Sequence, residues 1–303
     1  MTIHTHETTV NGRTVHYMKA GSGKPMVLLH GNIGDAAFHW SKILPELALD
    51  FTVYAPDLPD YGKSAPLPRQ SFAATVDWLK GFFDALHLES AAIVGTSHGA
   101  LIARLFAAAY PDAVPALIMI SGGSLPAKSP GMAKLLARLP IVNNMIFGGA
   151  SKQMVESREA LQWFVQYPKP EVVDPNANTE YASSGRGEKR DDPLDNNMVT
   201  TAADSATSLS RLMRTLVLSP VPTATTPPVP TLIMWGENDE ISPLKMGQRL
   251  QNALPGAQLE PIGDTRSAPH IEEPDIVAFQ IAQFIRDLDK PQKQDIPGAG
   301  MLG

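Results

Sequence analysis

Cysteine is absent from the 303 residues. That excludes disulfides, thiol catalysis and cysteine-ligated metals, and leaves the compartment open. Long hydrophobic runs are missing too: nothing approaches the ~20 apolar residues that span a bilayer. The first residues, MTIHTHETTVNGRTVHY, contain no apolar stretch of the signal-peptide kind, so the expectation is a cytoplasmic protein with no membrane partner. A strong charge of either sign is also lacking. Lys+Arg 25 against Asp+Glu 31 leaves a net charge of −6, a mild acidic balance that argues against nucleic acid as a partner. The histidines lack metal-ligand spacing. No glycine loop of the phosphate-cradling kind appears, and no cofactor is expected.

What is present is a series of short apolar runs. The N-terminal pair TTV and RTVHYM is split by Asn11 and Gly12, a strong hairpin signal because both positions tolerate φ > 0. Continuous runs follow: PMVLLH from Pro25, FTVYAP from Phe51, AAIVG from Ala91, ALIMI from Ala116, TLIMW from Thr231 and AQLEPI from Ala257. Unbroken hydrophobicity suits strands buried on both faces. Helical spacing intervenes, with Phe72, Val76, Leu79, Phe83 and Leu86 on one face and Val277, Ile281, Phe284, Ile285 and Leu288 on another. Pro274 and Asp275 make a good helix start. Strands alternating with helices predict an α/β fold with a mostly parallel sheet covered on both sides.

The rhythm breaks after Ser121. Residues 122–225 carry helical and loop patterns only, and they read as a lid inserted into a core formed by 1–121 and 226–290. An unrelated second domain, or helices that extend the core, are the alternatives. The charged stretch 183–197 reads as a surface loop, and the aperiodic 291–303 as a disordered tail.

The stretch GTSHG, residues 95–99, lies between a buried run and a helical pattern. By chance alone this motif is expected on the order of 0.1 times in a chain of this length. Its context adds weight. Gly95 and Gly99 let strand and helix approach closely, and Ser97 sits on a tight turn at a helix N-terminus. The backbone N–H of His98 is placed to stabilise an oxyanion.

Five ordered stretches, LLHGN, APDLPDYGKS, VGTSHGA, IMWGENDEISP and PHIEEPD, resemble those of α/β-hydrolase-fold proteins over nearly all of residues 8–289. The resemblance implies an eight-stranded, mostly parallel sheet with helices on both faces. It further implies Ser97 as nucleophile, Asn32 as donor of a second oxyanion N–H, His30 in a structural role, and Asp239 as the acid that orients an imidazole. Glu237 and Glu240 read as solvated neighbours. The other family position for the acid, Ser121 to Ser124, holds no carboxylate.

The histidine departs from the pattern. Relatives read Gly-His ahead of a Pro-His-Ile-Glu-Glu-Pro-like run, and here Arg266 and Ser267 stand in those two places. Three possibilities stay open. His270 could serve as base, although three extended residues span about 10 Å, so the loop would have to be remodelled. His98 or His39 could serve. Or no base exists, and the chain is an inactive, binding or repurposed variant, since an unassisted serine hydroxyl is a weak nucleophile.

A serine rather than an aspartate at position 97 argues against haloalkane dehalogenase and epoxide hydrolase chemistry. The resemblance then implies a small-molecule substrate: an ester, a lactone or a cleavable C–C bond in a medium-sized apolar compound. Leu135, Leu136, Met145, Ile146, Phe147, Met154, Trp163, Phe164 and Met213 supply apolar groups for a roof. Arg138 and Arg214 are candidates for holding a carboxylate.

Overall fold

The computed structural model describes residues 3–125, 148–149, 152, 205–220 and 225–290. Most of the expected lid, with Arg138 and all its apolar roof residues except Met213, lies outside the described residues, as does 291–303.

The chain begins with a hairpin, β1 (His4–Val10) and β2 (Arg13–Ala20). Its turn takes positive φ at Asn11 (50°) and Gly12 (74°), as the Asn-Gly pair predicts. Then come β3 (Lys24–Leu29), two short helices α1 (Ala36–Trp40) and α2 (Leu44–Leu47), and β4 (Phe51–Pro56). Helix α3 (Phe72–Ala85), β5 (Ala92–Thr96), α4 (His98–Ala109) and β6 (Leu117–Ile120) follow. Within the expected lid region lies α5 (Ala206–Leu218), and after it come β7 (Thr231–Gly236), α6 (Leu244–Ala253) and β8 (Gln258–Ile262). The described chain ends with α7 (Pro269–Glu272) and α8 (Pro274–Leu288).

The eight strands form one sheet in the order β1-β2-β4-β3-β5-β6-β7-β8. The first hairpin and the β2–β4 pair are antiparallel, and every other pairing is parallel. Unbroken apolar runs mark the middle of the sheet: β5, β6 and β7 are buried at every position. The edge strands β1 and β8 are largely exposed. One apolar layer joins α3, α4 and α6 to one face, through Phe82, Phe83, Leu101, Phe106 and Leu250 among others. A second joins α1, α2 and α8 to the other face, through Trp40, Leu44, Val277 and Ile281.

Parallel strands aim their carboxyl ends the same way, so the loops after β3, β4, β5, β7 and β8 gather at one edge. Helix α5 is fastened across that edge. Ser205 Oγ accepts the Gly34 N–H at 3.1 Å, Ser208 Oγ donates to the Asp60 carbonyl, and Arg211 pairs with the Asp60 carboxylate.

The β5–α4 junction leaves no room for side chains at its glycines. A methyl on Gly95 would meet the Gly99 carbonyl carbon at 2.5 Å, and one on Gly99 would collide with the Leu29 and His30 carbonyl oxygens. Backbone atoms cannot rotate away as a side-chain end can. Gly99→Ala is therefore expected to cost about 3 kcal/mol, to be read as a lowered urea midpoint at unchanged m-value.

Candidate active site

Ser97 occupies the one-residue turn between β5 and α4, at φ 51° and ψ −113°. Such a conformation for a residue with a Cβ costs roughly 1–3 kcal/mol. Several contacts hold it. The Ser97 N–H donates to the Ile120 carbonyl at 3.0 Å, and its carbonyl accepts the Leu101 N–H at 3.3 Å. Gly122 packs directly on the Ser97 backbone. The side chain is half-buried, and its hydroxyl donates to Asn32 Oδ1 at 3.2 Å. His98 is the first residue of α4, so its N–H has no acceptor within the helix.

Asn32 belongs to the loop after β3. Its carbonyl accepts the Tyr61 hydroxyl at 3.3 Å. The loop is fixed from below by Asp57, at 2% exposure: Oδ1 accepts the Ala36 N–H at 3.0 Å, while Oδ2 accepts the Lys63 N–H at 3.0 Å and lies 2.9 Å from His16 Nδ1. Neither Tyr61 nor Asp57 carried a role in the sequence reading, although both lie in the quoted APDLPDYGKS. Burial pushes the Tyr61 phenol well above its ordinary range, so it stays a neutral donor.

Asp239 lies in the turn after β7 and is 4% exposed. Its Oδ1 takes three donors: the N–H groups of Ile241 (2.9 Å) and Ser242 (2.8 Å) and the Ser267 hydroxyl (2.7 Å). Its Oδ2 is buried and has no hydrogen-bond partner. Desolvation raises its pKa above the usual carboxylate range, against the pull of those three donors. Glu237 and Glu240, by contrast, are exposed.

Ser267 therefore rests on the Asp239 carboxylate. Its loop is clasped by Glu272, whose Oε2 accepts the Arg266 N–H at 2.9 Å and whose Oε1 accepts the Ala268 N–H at 3.0 Å. Burial lifts the Glu272 pKa to about 7.

The histidines are committed elsewhere. His30 Nε2 accepts the Leu58 N–H at 2.8 Å, so the ring carries its proton on Nδ1 and donates to the Gly31 carbonyl at 2.7 Å. His39 Nε2 faces the Ile33 carbonyl at 2.8 Å and must donate there. Its Nδ1 is then an acceptor, and His270 Nε2–H donates to it at 3.0 Å. His270 Nδ1 is left as a buried lone pair without a partner. The three rings stack in the order His30, His39, His270, with centroids 6.0 and 5.3 Å apart, and Trp40 lies against His270 at 4.9 Å.

The structure thus does not bring His270 to the Ser97 hydroxyl. At 0% exposure it is held behind the loop after β3 by His39 and Trp40. His39 runs beneath Gly31, where an added methyl would meet His39 Cε1 at 2.9 Å and Ser97 Cβ at 3.5 Å; its nitrogens are spent on Ile33 and His270. Among the described residues the one hydrogen-bond partner of the Ser97 hydroxyl is Asn32. Desolvation lowers every ring near the site: His98 to about 4, His270 to about 3, His39 well below its ordinary value and His30 below it. Among the described residues no group of three or more His, Asp or Glu side chains is arranged to hold a metal ion.

Comparison with known proteins agrees with this architecture. The family model described as "alpha/beta hydrolase fold" matches residues 24–274. A 2-hydroxy-6-oxononadienedioate/2-hydroxy-6-oxononatrienedioate hydrolase of a Pseudomonas species is 28% identical, across 84% of each chain. An uncharacterised protein of Mycobacterium tuberculosis is 29% identical, across 95% of this chain and 84% of its own. A thermophilic esterase of Thermogutta terrifontis superposes with a TM-score of 0.71 at 22% identity, covering 95% of this chain and 100% of its own.

Proposed function

Because the chain belongs to the α/β-hydrolase-fold family, we propose that it carries a serine-type hydrolase site from which the proton-accepting imidazole is missing. The bond attacked is an ester, a lactone or a C–C bond in a medium-sized apolar small molecule. The observation that carries the proposal is the backbone of Ser97. A serine held at φ 51° between β5 and α4, half-exposed at the sheet's carboxyl edge, is a costly arrangement that a plain helix cap does not require.

In this reading Ser97 Oγ attacks the substrate's carbonyl carbon. The oxyanion that forms is held by the N–H groups of Asn32 and His98, each donor of this kind being worth ~10²–10³ in rate. Asp239 is the acid. The proton of Ser97 has no good destination, because its present partner is an amide oxygen, which takes no proton near neutrality. Removing the histidine from a working triad costs about 10⁶ in kcat and leaves ~10³–10⁴ over water. Slow turnover is the expected state of this protein. The Pseudomonas relative, named as a hydrolase of a dienedioate, supports the C–C alternative, and the fold shared with an esterase is compatible with the ester alternative.

Turnover of wild type against Ser97→Ala is a weak test here. Once the histidine is gone, loss of the serine adds little, because triad members act as a unit. Covalent labelling is sharper. A fluorophosphonate is expected to form one adduct per chain over hours, at Ser97, with none in Ser97→Ala. An adduct at another residue, or none, would overturn the assignment.

One observation favours a second reading. The Asp239–Ser267 bond at 2.7 Å already satisfies the acid's Oδ1, as in a pocket used for binding or for cofactor-free lyase, cyclase or oxygenase chemistry. Failure of Ser97 to label would favour this reading, and stoichiometric labelling would count against it.

A further inference from the structure

A cavity of about 780 Å³ lies between α5 and the segment 66–71. The residues that line it include three arginines, Arg69, Arg211 and Arg214, and one aspartate, Asp60, leaving two positive charges in excess. Arg211 is paired with Asp60. Arg69 and Arg214 have no ion-pair partner among the described residues. The Asp60 side chain is only 8% exposed, and its Oδ2 is buried with no hydrogen-bond partner. It is an internal anchor that holds the Arg211 guanidinium on the wall, with N–H donors to spare.

A second, small cavity of about 20 Å³ adjoins the first and reaches His98, next to Ser97; its other walls include Leu58, Tyr61, Phe72 and Leu212. The two cavities share Gln70, Ser71 and Thr215. The barrier between them is soft. Thr215 Oγ1 has one proton, and the Arg211 carbonyl takes it at 2.9 Å, which leaves the Gln70 Oε1 contact at 3.4 Å loosely held.

We propose that the arginine-lined cavity is a vestibule for a carboxylate tail. The ligand is a small molecule with an apolar middle and an anionic end: the anion rests between Arg69, Arg214 and Arg211, the middle passes Gln70 and Thr215, and the carbonyl lies at Ser97. The charge on the wall and the nearness of the apolar pocket at His98, across the shared Gln70, Ser71 and Thr215, support this class over a neutral ester. The inference rests on the reading of Ser97 as the attacking group.

The test uses full-length Ser97→Ala, which binds without turnover, and two probes, monomethyl suberate and dimethyl suberate. Calorimetry is expected to show a preference for the charged probe that shrinks in 0.5 M salt. Exposed charge pairs are individually weak, so Arg69→Gln with Arg214→Gln is expected to cut that preference by only about tenfold. Arg286→Gln, at a distant pair with Asp50, is expected to leave it intact. In wild type, monomethyl suberate is expected to slow fluorophosphonate labelling of Ser97. Equal affinity for both probes, or no response to the double substitution, overturns the vestibule. Charged-probe binding without protection of a labelled Ser97 also overturns it, since the anion would then sit in a separate site. If Ser97 takes no label at all, the attacking role fails, and the calorimetric preference still reports on the arginines by themselves.

Discussion

Replacing Arg266 with Gly and Ser267 with His is expected to raise kcat/KM for p-nitrophenyl esters at least 10³-fold, about 4 kcal/mol of transition-state stabilisation. The carboxylate proposed as the acid is already in place. Asp239 is fixed by two backbone N–H groups, and the side chain at 267 reaches it at 2.7 Å. The backbone on both sides of 267 is held by the Glu272 clasp, so a new imidazole would enter from a rigid base. Ser97 and Asp239 follow β5 and β7, two strands apart and so separated by about 10 Å, a gap suited to a ring that bonds at both ends. The gain stops short of the full 10⁶ because a ring misplaced by an ångström forfeits much of its effect. Two controls belong with it. Ser97→Ala in the same background should abolish the gain. The restored enzyme should also lose activity on acidification near the pKa of an ordinary imidazole, about 6.5. If the double replacement changes nothing, either the placement of 267 or the role of Asp239 is mistaken.

What could be read from the chain beforehand divides by the range of the interaction. The hairpin, the buried strands and the strand–turn–helix at Ser97 follow from local signals: Asn11-Gly12, unbroken apolar runs, and two glycines four residues apart that prove to touch. The supports of the candidate site left no such mark. Asp57 gathers Ala36, Lys63 and His16, from 6 to 41 residues away, by accepting mostly backbone N–H groups, which no side-chain pattern advertises. The same holds for Glu272, visible only as part of a familiar Pro-His-Ile-Glu-Glu-Pro string. His39 and His270 meet across 231 residues, and their pairing follows from α1 and α7 packing at one end of the sheet. The Ser267 departure, by contrast, was plain in the sequence, since it needs only a register. The bond that Ser267 makes to Asp239 was not.

Stability is expected to collapse on acidification between about pH 6 and 4, because the histidines around the site are folded in as neutral rings. A ring whose folded pKa is depressed binds fewer protons in the native state than in the unfolded chain. The unfolded chain then takes up the excess below about 6.5, and stability falls as pH drops toward the folded pKa. For His98 the window runs from 6.5 to about 4, and for His270 to about 3; His39 and His30 act in the same direction. Glu272 opposes them. With its pKa raised to about 7 it stabilises when protonated, and that contribution fades as pH rises from about 4.5 to 7. Asp35, Asp60 and Asp239, also raised, work the same way at lower pH. Two rings against one carboxyl already give about 1.4 kcal/mol per pH unit, and His39 would bring this to about 2.7. A domain stable by 5–15 kcal/mol is exhausted within a few units on that slope. His270→Gln isolates one of these rings. The amide N–H can still donate to His39 Nδ1, but it cannot take up a proton. Urea unfolding at pH 7, 6, 5 and 4.5 is expected to show the acid slope reduced by about one proton, ~1.4 kcal/mol per unit, at a modest cost near pH 7. A slope unchanged by this substitution would mean that His270 already titrates normally, and that the buried ring pair is more open to water than its 0% exposure implies.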